Sequence, residues 1–373
     1  MSNTAHTDHL QVVIKELPLF SHIRPSDSHS NAALIFGMSI MIPVAVVIVN
    51  YNTREHLRAC LATIQSESPL EVVVVDNASS DHSVEMVRTN YPWVVLHANE
   101  TNLGYGAASN QAIASCTAKY VLLLNSDILM PPGALQALST YLDQHPRAAI
   151  VGPRLENLDG SLQASCFQFP GTFMWLLDND DLRPLIRRLP FCHNRFLRTW
   201  SYTHNRRVPW VKGAALVIRR KAFEAVSGFD ESFFMYFEEA DLCCRLQTIG
   251  WEVHFTPVTT ILHIGEVSTR QYRTDMTVQF IVSRMLFFQR HYSGIRLAGL
   301  SIIMASIVQA RWFRDTARFF MTRDASKRTR LAADIAAWQR VLHWYRHEAM
   351  GHSQVKNATP MKPLYSKRDC CSE

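Results

Sequence analysis

The chain has 373 residues, with 38 Lys and Arg against 32 Asp and Glu, a net charge of +6, 47% hydrophobic and 19% charged residues. That size leaves room for two to three domains of about 150 residues each, and so apolar a composition excludes a disordered chain. Fourteen Gly and 16 Pro without a period exclude a collagen-like architecture, while eight Cys without disulfide-framework or zinc-site spacing point to a reducing cytosol.

Residues 32–49 form an 18-residue uncharged stretch, near the minimum length of a spanning helix. Its second half, Val44 to Val49, is β-branched, follows Pro43 and stops at Asn50-Tyr51-Asn52, which predicts a buried strand. Residues 1–40 then form an N-terminal extension, expected to be poorly ordered. A helix follows over Arg54 to Ser66, with Leu57, Leu61 and Ile64 at helical spacing. Glu71 to Val75 is a second strand, ending at Asp76-Asn77, and Ser79-Ser80-Asp81 reads as the N-cap of a helix over Ser83 to Asn90. Trp93 to His97, Tyr120 to Leu124 and Ala148 to Val151 are further strands. They are separated by helices over Ala107 to Ser115 and after Pro131-Pro132. Apolar strands alternating with helices predict an α/β fold, a mostly parallel sheet covered on both faces.

Residues 153–210 lose this rhythm and read as irregular, with a turn at Asp159-Gly160 and an acidic stretch at Asp178 to Asp181. Strand character returns at Ala214 to Ile218, followed by a short helix from Arg220 to Val226. A helix from Glu238 to Ile249 is closed by Gly250, and Trp251 to Phe255 is again a strand. Residues 274–350 are a basic helical region, and residues 351–373 a flexible tail.

Polar clusters end four strands: Asn50-Tyr51-Asn52, Asp76-Asn77, Asn99 to Asn102, and Asn125-Ser126-Asp127. In open α/β sheets the ligand crevice lies outside these strand ends. Asp127, directly after a buried strand, suits a divalent ion bridging phosphates, although aspartate is also a common turn former. Glu238, Glu239 and Asp241 crowd three carboxylates into four residues within an aromatic setting. Mutual repulsion fits one of them for general-base work, and an acidic first helical turn is the other reading. His263 would complete a metal site with Asp127, or serve structurally.

Taken in order, VVIVNYNTREHLRACLATI, VVVVDNASSD, NETNLGYGAASNQAI, YVLLLNSD, VKGAALVIRRKAFEAVSGFDESFFMYFEEADLCCRLQTIGW and LHIGEVST resemble a family 2 glycosyltransferase of the GT-A fold, in its rhamnosyltransferase-like branch. The resemblance spans roughly residues 44–290 and implies a Rossmann-like catalytic domain over residues 41–273. It implies that Asn50, Tyr51 and Asn52 border the nucleotide pocket and that Asp76 contacts the nucleobase. Asn102, Gly104, Tyr105 and Gly106 would line the ribose and phosphate side, with Asn110 and Asn125 nearby. Asp127 matches the last acid of the family's DXD signature, whose first position is Asn125 here, and His263 matches a histidine that joins the metal, Mg or Mn. Glu239 matches the usual base, with Glu238 as its rival, and Asp230 matches an acid facing the acceptor. The implied reaction is inverting transfer of a sugar, with rhamnose the nearest match, from a nucleotide-sugar donor to a glycan or lipid-linked acceptor in bacterial surface polysaccharide synthesis.

Two other classes compete. Gly104-Tyr105-Gly106-Ala107-Ala108-Ser109 imitates a dinucleotide fingerprint, with Asp127 standing 21 residues after Gly106 as its ribose acid. The loop follows the third strand rather than the first and its last position is Ser, both against an NAD-dependent oxidoreductase. A non-catalytic membrane scaffold is the third class, because the apolar run 297–308 suits an interfacial or a buried helix. The net +6 is itself local: residues 284–346 hold twelve Lys or Arg against three Asp, interleaved with aromatics. Stacking and groove-reading motifs are not apparent, so no nucleic acid is expected. An anionic membrane surface fits better, placing the protein in the cytoplasm, peripheral to the inner membrane.

Overall fold

The computed structural model describes residues 42–171, 200–265 and 273–345. The expectations for residues 1–40, for Asp178 to Asp181 and for residues 351–373 lie outside them. Strand β1 (Ile42–Asn50) sits between β2 (Pro69–Asp76) and β4 (Tyr120–Asn125), parallel to both, and β3 (Val95–Ala98) adds to β2 in parallel. Val44 through Ile48 are fully enclosed, so this uncharged run is a central strand, as its β-branching predicts.

The two faces of these strands divide by alternation. Val44, Val46 and Ile48 pack with Leu57 and Leu61 of α1 (Arg54–Ile64), Met86 of α2 (Ser83–Asn90) and Leu138 of α4 (Ala134–Gln144). Ala45 and Val47 pack with Ala108 and Ala112 of α3 (Tyr105–Ala114), Phe223 of α5 (Arg220–Ala225) and Leu246 of α6 (Glu238–Thr248). Helices therefore cover both faces.

Three two-residue strands and three longer ones complete the sheet. In chain order the remaining strands are β5 (Ile128–Leu129), β6 (Ala148–Glu156), β7 (Leu162–Gln163), β8 (Cys166–Phe167), β9 (Arg206–Arg207), β10 (Trp210–Val211), β11 (Ala215–Arg219) and β12 (Glu252–His263). The order is β3-β2-β1-β4-β11-β6-β12-β5, with β7 on β6 and β9 on β12, while β8 and β10 pair separately. Four strands depart from the parallel run: β5 and β9 pair antiparallel with β12, β7 pairs antiparallel with β6, and the longest of them, β11, runs antiparallel between β4 and β6. Its apolar run buries both faces whichever way it points, so periodicity carries no direction. The stretch 153–210, read as irregular, begins inside β6, which runs on to Glu156; the strands that follow in its described part are two residues long, too brief to show a period. Trp251 to Phe255 proves to be the first half of β12, whose register slips between Thr256 and Thr260 around Pro257.

Helix starts are set by carboxylates from elsewhere in the chain. Asp81 accepts from Ser83 N at the start of α2 and also from Arg54 N at the start of α1. Helix α4 begins after Gly133 rather than at Pro131-Pro132, with Glu67 accepting from Gly133 N (2.7 Å) and Leu135 N (2.9 Å). The C-terminal region is three helices, α7 (Arg273–His291), α8 (Gly294–Met321) and α9 (Ala325–Trp344). They enclose a separate core of Phe287, Met304, Val308, Trp338 and Val341 that joins the sheet domain through Phe233 and Phe237.

Candidate active site

The C-terminal ends of β1, β2 and β4 converge in a buried amide and hydroxyl network. Asn50 Nδ2 donates to Asp76 Oδ2 (2.8 Å), and Thr53 Oγ1 donates to Asn50 Oδ1 (2.6 Å) while pairing with Ser126 Oγ. Ser79 N donates to the other Asp76 oxygen, so this buried carboxylate is occupied on both sides by the loop it organises. Asn52 takes a left-handed turn (φ 53°), accepting from Ser80 N, and Tyr51 lies half-buried beside it.

The glycine loop is shaped by what crowds it. Gly104 N donates to Asn102 Oδ1, and at φ 86° a Cβ on Gly104 would stand 2.3 Å from Phe234 O. Tyr105 N donates to that same carbonyl. A side chain on Gly106 would press on Phe229, with Cβ atoms 3.2 Å apart. Tyr105 Oη donates to Gly213 O (3.0 Å), and burial raises its phenol pKa. Asn110 points to the neighbouring loop instead, donating to Phe229 O and Glu231 Oε1.

Asp127 and His263 meet because β5 pairs with β12, setting Ile128 opposite His263. Asp127 Oδ1 lies 3.3 Å from His263 Nε2, and Asp127 Oδ2 accepts from Gly265 N (3.0 Å). Burial opposes the charge on Asp127, but the contacts with His263 outweigh it and hold the carboxyl below its ordinary value. Gln163, unforeseen from the sequence, fixes the imidazole. Its Nε2 donates to Asn157 Oδ1 (2.9 Å) and its Oε1 accepts from Lys212 Nζ (3.4 Å), so Oε1 is the atom facing His263 Nδ1. His263 Nδ1 is thereby an N–H donor, and Nε2 is the ring atom that faces Asp127. Asn125 Nδ2 completes the group 3.5 Å from Nε2.

No three His, Cys, Asp or Glu side chains converge on one point among the described residues. Asp127 and His263 nonetheless form a donor pair fit for a cation whose other positions are taken by phosphate oxygens and water.

The carboxylates of α6 are separated by a strained turn: Tyr236 (φ 70°) and Phe237 (φ 68°) are both left-handed immediately before Glu238. Glu239 is half-buried, and its Oε1 accepts from Gly213 N (3.1 Å). Its Oε2 is buried without a hydrogen-bond partner among the described residues, and so is Oε2 of Glu238. Glu238 is the more deeply buried of the two, at 4% exposure. Burial and the Glu239 charge push the Glu238 carboxyl well above the usual carboxylate range. Burial also raises Glu239, against the opposing pull of the Gly213 N–H and Lys212. Asp241 turns away, accepting from Arg245 Nε (2.7 Å) and meeting His291 Nε2 (2.8 Å), so it clasps α6 to α7. Burial alone would lower the His291 pKa, but its contacts with Asp241 and Cys244 push it up to about 9. Asp230 accepts from Ser232 and lies 3.1 Å from Arg290 Nε of α7.

The fold is an α/β sheet with a polar crevice at its strand ends, and the sequence carried on it is that of a glycosyltransferase. The chain belongs to glycosyl transferase family 2, whose sequence profile matches residues 45–241, and that of glycosyl transferase family group 2 matches residues 187–347. It is 32% identical to the N-acetylglucosaminyl-diphospho-decaprenol L-rhamnosyltransferase of Mycobacterium tuberculosis, over 69% of this chain and 87% of that one. It is 20% identical to the rhamnosyltransferase WbbL of Escherichia coli, over 68% of this chain and 97% of that one. The solved mannosyltransferase from Pyrobaculum calidifontis in complex with GDP-Man and Mn²⁺ overlays with a TM-score of 0.45 at 16% identity, covering 91% of this chain and 94% of that one.

Proposed function

We propose that the protein is an inverting, divalent-cation-assisted rhamnosyltransferase of the cytoplasm. It takes rhamnose from a nucleoside-diphosphate donor and delivers it to a lipid-linked glycan acceptor. The catalytic unit is residues 41–273, followed by the helical region 274–350, which brings the enzyme to the membrane surface. The reading rests on Glu239: less buried than Glu238, anchored through one oxygen and unsatisfied at the other, it would accept the proton of an acceptor hydroxyl once the acceptor meets that oxygen. Direct displacement at the sugar carbon needs only this one carboxylate, and the transition state develops oxocarbenium character. The strand-end pair Asn50 and Asp76 would shape the nucleotide side, and the glycine loop that Asn102 orders through Gly104 N would line the diphosphate. Asp127 and His263 would hold the cation, which neutralises charge on the departing diphosphate. The two relatives named as rhamnosyltransferases support the sugar, and the decaprenol-linked relative supports the acceptor class.

A panel of nucleotide sugars with Mn²⁺ and a polyprenyl-diphosphate-linked acceptor tests this, read as released nucleoside diphosphate. dTDP-rhamnose is expected to be consumed fastest, and preference for a UDP-hexose would overturn the sugar assignment.

The pH profile carries a further expectation. The environment of the Glu238–Glu239 pair holds protons to higher pH than a free glutamate, at about 4.3, does. On acidification the base form is therefore lost early, and kcat/KM should fall through an apparent pKa above that value. Glu238 holds its proton to higher pH than Glu239, so it is already neutral where Glu239 titrates; Glu238→Gln removes no charge there and the acid limb should stay in place. A limb that moves to lower pH in this variant would contradict that order of protonation.

A further inference from the structure

Helix α8 is long and apolar enough to cross a membrane by length and composition, yet only 17% of its 18-residue apolar stretch is buried within the protein. One side of the helix is committed. Met304, Val308 and Asp315 are buried toward the helical core, and Asp315 accepts from Trp338 Nε1 of α9 (3.0 Å).

The opposite side carries Ile295, Ile302, Phe313 and Phe320, which are 93%, 67%, 58% and 79% exposed. At 3.6 residues per turn these four fall within about 20° of one another around the axis. They form a straight line about 38 Å long. Gly299, Ser306 and Ala317 lie close to the same line, so no charge interrupts it. Arg296 and Arg314 stand about 100° round the helix from this line. Exposed Arg318, Arg328 and Arg330 add cations to the same region.

We propose that α8 lies in the plane of a bilayer interface, with the Ile295–Ile302–Phe313–Phe320 line among the acyl chains and the flanking arginines at anionic lipid phosphates. Charge and packing favour lipid over the other occupants. A second copy would bring together two regions that each carry twelve basic and three acidic residues over 284–346, whereas an anionic surface attracts them. A spanning arrangement would strip α8 from Trp338 and from the helical core in which Met304 and Val308 are buried. In-plane binding keeps every internal contact of α8 and covers only what is exposed. The inference deepens the proposed use of a lipid-linked acceptor, since it sets the catalytic domain beside the surface in which such an acceptor is embedded.

The test is flotation of the full chain with vesicles of phosphatidylcholine alone or mixed equally with phosphatidylglycerol, without donor or acceptor. The wild type is expected to float with the anionic vesicles at low salt, to be released by high salt in part, and to be released by alkaline carbonate in full. The double variant Phe313→Glu, Phe320→Glu should bind at least tenfold more weakly, with unchanged circular dichroism because both side chains are exposed. Absence of wild-type flotation, or equal flotation of the double variant, overturns the proposal. Carbonate-resistant membrane retention also overturns it in favour of a span, and a wild-type dimer abolished in the double variant overturns it in favour of a second copy. Transfer to a water-soluble, short-chain acceptor analogue is read in parallel. Its persistence in the double variant separates a failure of docking from a failure of the transferase reading.

Discussion

Replacing Glu239 by Gln is expected to lower turnover by about 10²–10⁴-fold while leaving donor binding unchanged. The substitution keeps the side-chain length, and the amide oxygen still accepts from Gly213 N, so the start of α6 and the Gly213 turn stay in place. What is lost is the ability to receive a proton. Tyr105 still reaches Gly213 O from the nucleotide side, which isolates the chemical step from the donor pocket. Calorimetry with the nucleotide sugar and steady-state kinetics with the acceptor read the two quantities separately. Comparable turnover in Glu239→Gln would remove Glu239 from the base role and return it to the buried Glu238.

Asp127→Asn is expected to act on the other half of the site. Its amide oxygen can still accept from Gly265 N, so the β5–β12 junction survives, but the negative charge beside His263 Nε2 is gone. Partners that merely orient a metal ligand cost about 10–100-fold in metal affinity when removed. Loss of the carboxylate itself should therefore weaken Mn²⁺-supported donor binding by at least about 100-fold. Gln163→Leu belongs to the milder class, because it frees the His263 tautomer and leaves both donors present. The check is a calorimetric donor titration with Mn²⁺ and with EDTA. A wild type indifferent to EDTA, or an Asp127→Asn titration identical to wild type, would contradict the cation role.

Much of this arrangement was readable before any coordinates. β1, β2 and β4 bury both faces, so their Val- and Leu-rich runs stand out, and the polar residues that end them mark the crevice. What escaped is long-range. Gln163 lies 100 residues from His263 and Lys212 lies 49 from Gln163, on segments whose two-residue strands have no period. The direction of β11 is set by pairing with β4 and β6, which apolar patterning does not encode. Of the two adjacent glutamates, the resemblance favours Glu239 as the base and keeps Glu238 as its rival. Burial separates them, through a left-handed Tyr236–Phe237 turn that no residue type announces. Asp230 and Asn110 were read as facing ligands, and the structure ties the first to Arg290 and the second to the Phe229–Glu231 loop. The basic surplus over residues 284–346 was legible as composition, but its relation to the apolar line on α8 needed the helix packing.

The most direct test of the central claim, displacement assisted by one carboxylate at Glu239, is the anomeric configuration of the product. Proton NMR of the sugar transferred from a donor of defined anomer reads it without reference to rate. A single in-line displacement predicts a configuration opposite to that of the donor. A product with the donor's configuration would require a second nucleophile on the enzyme and would contradict this account.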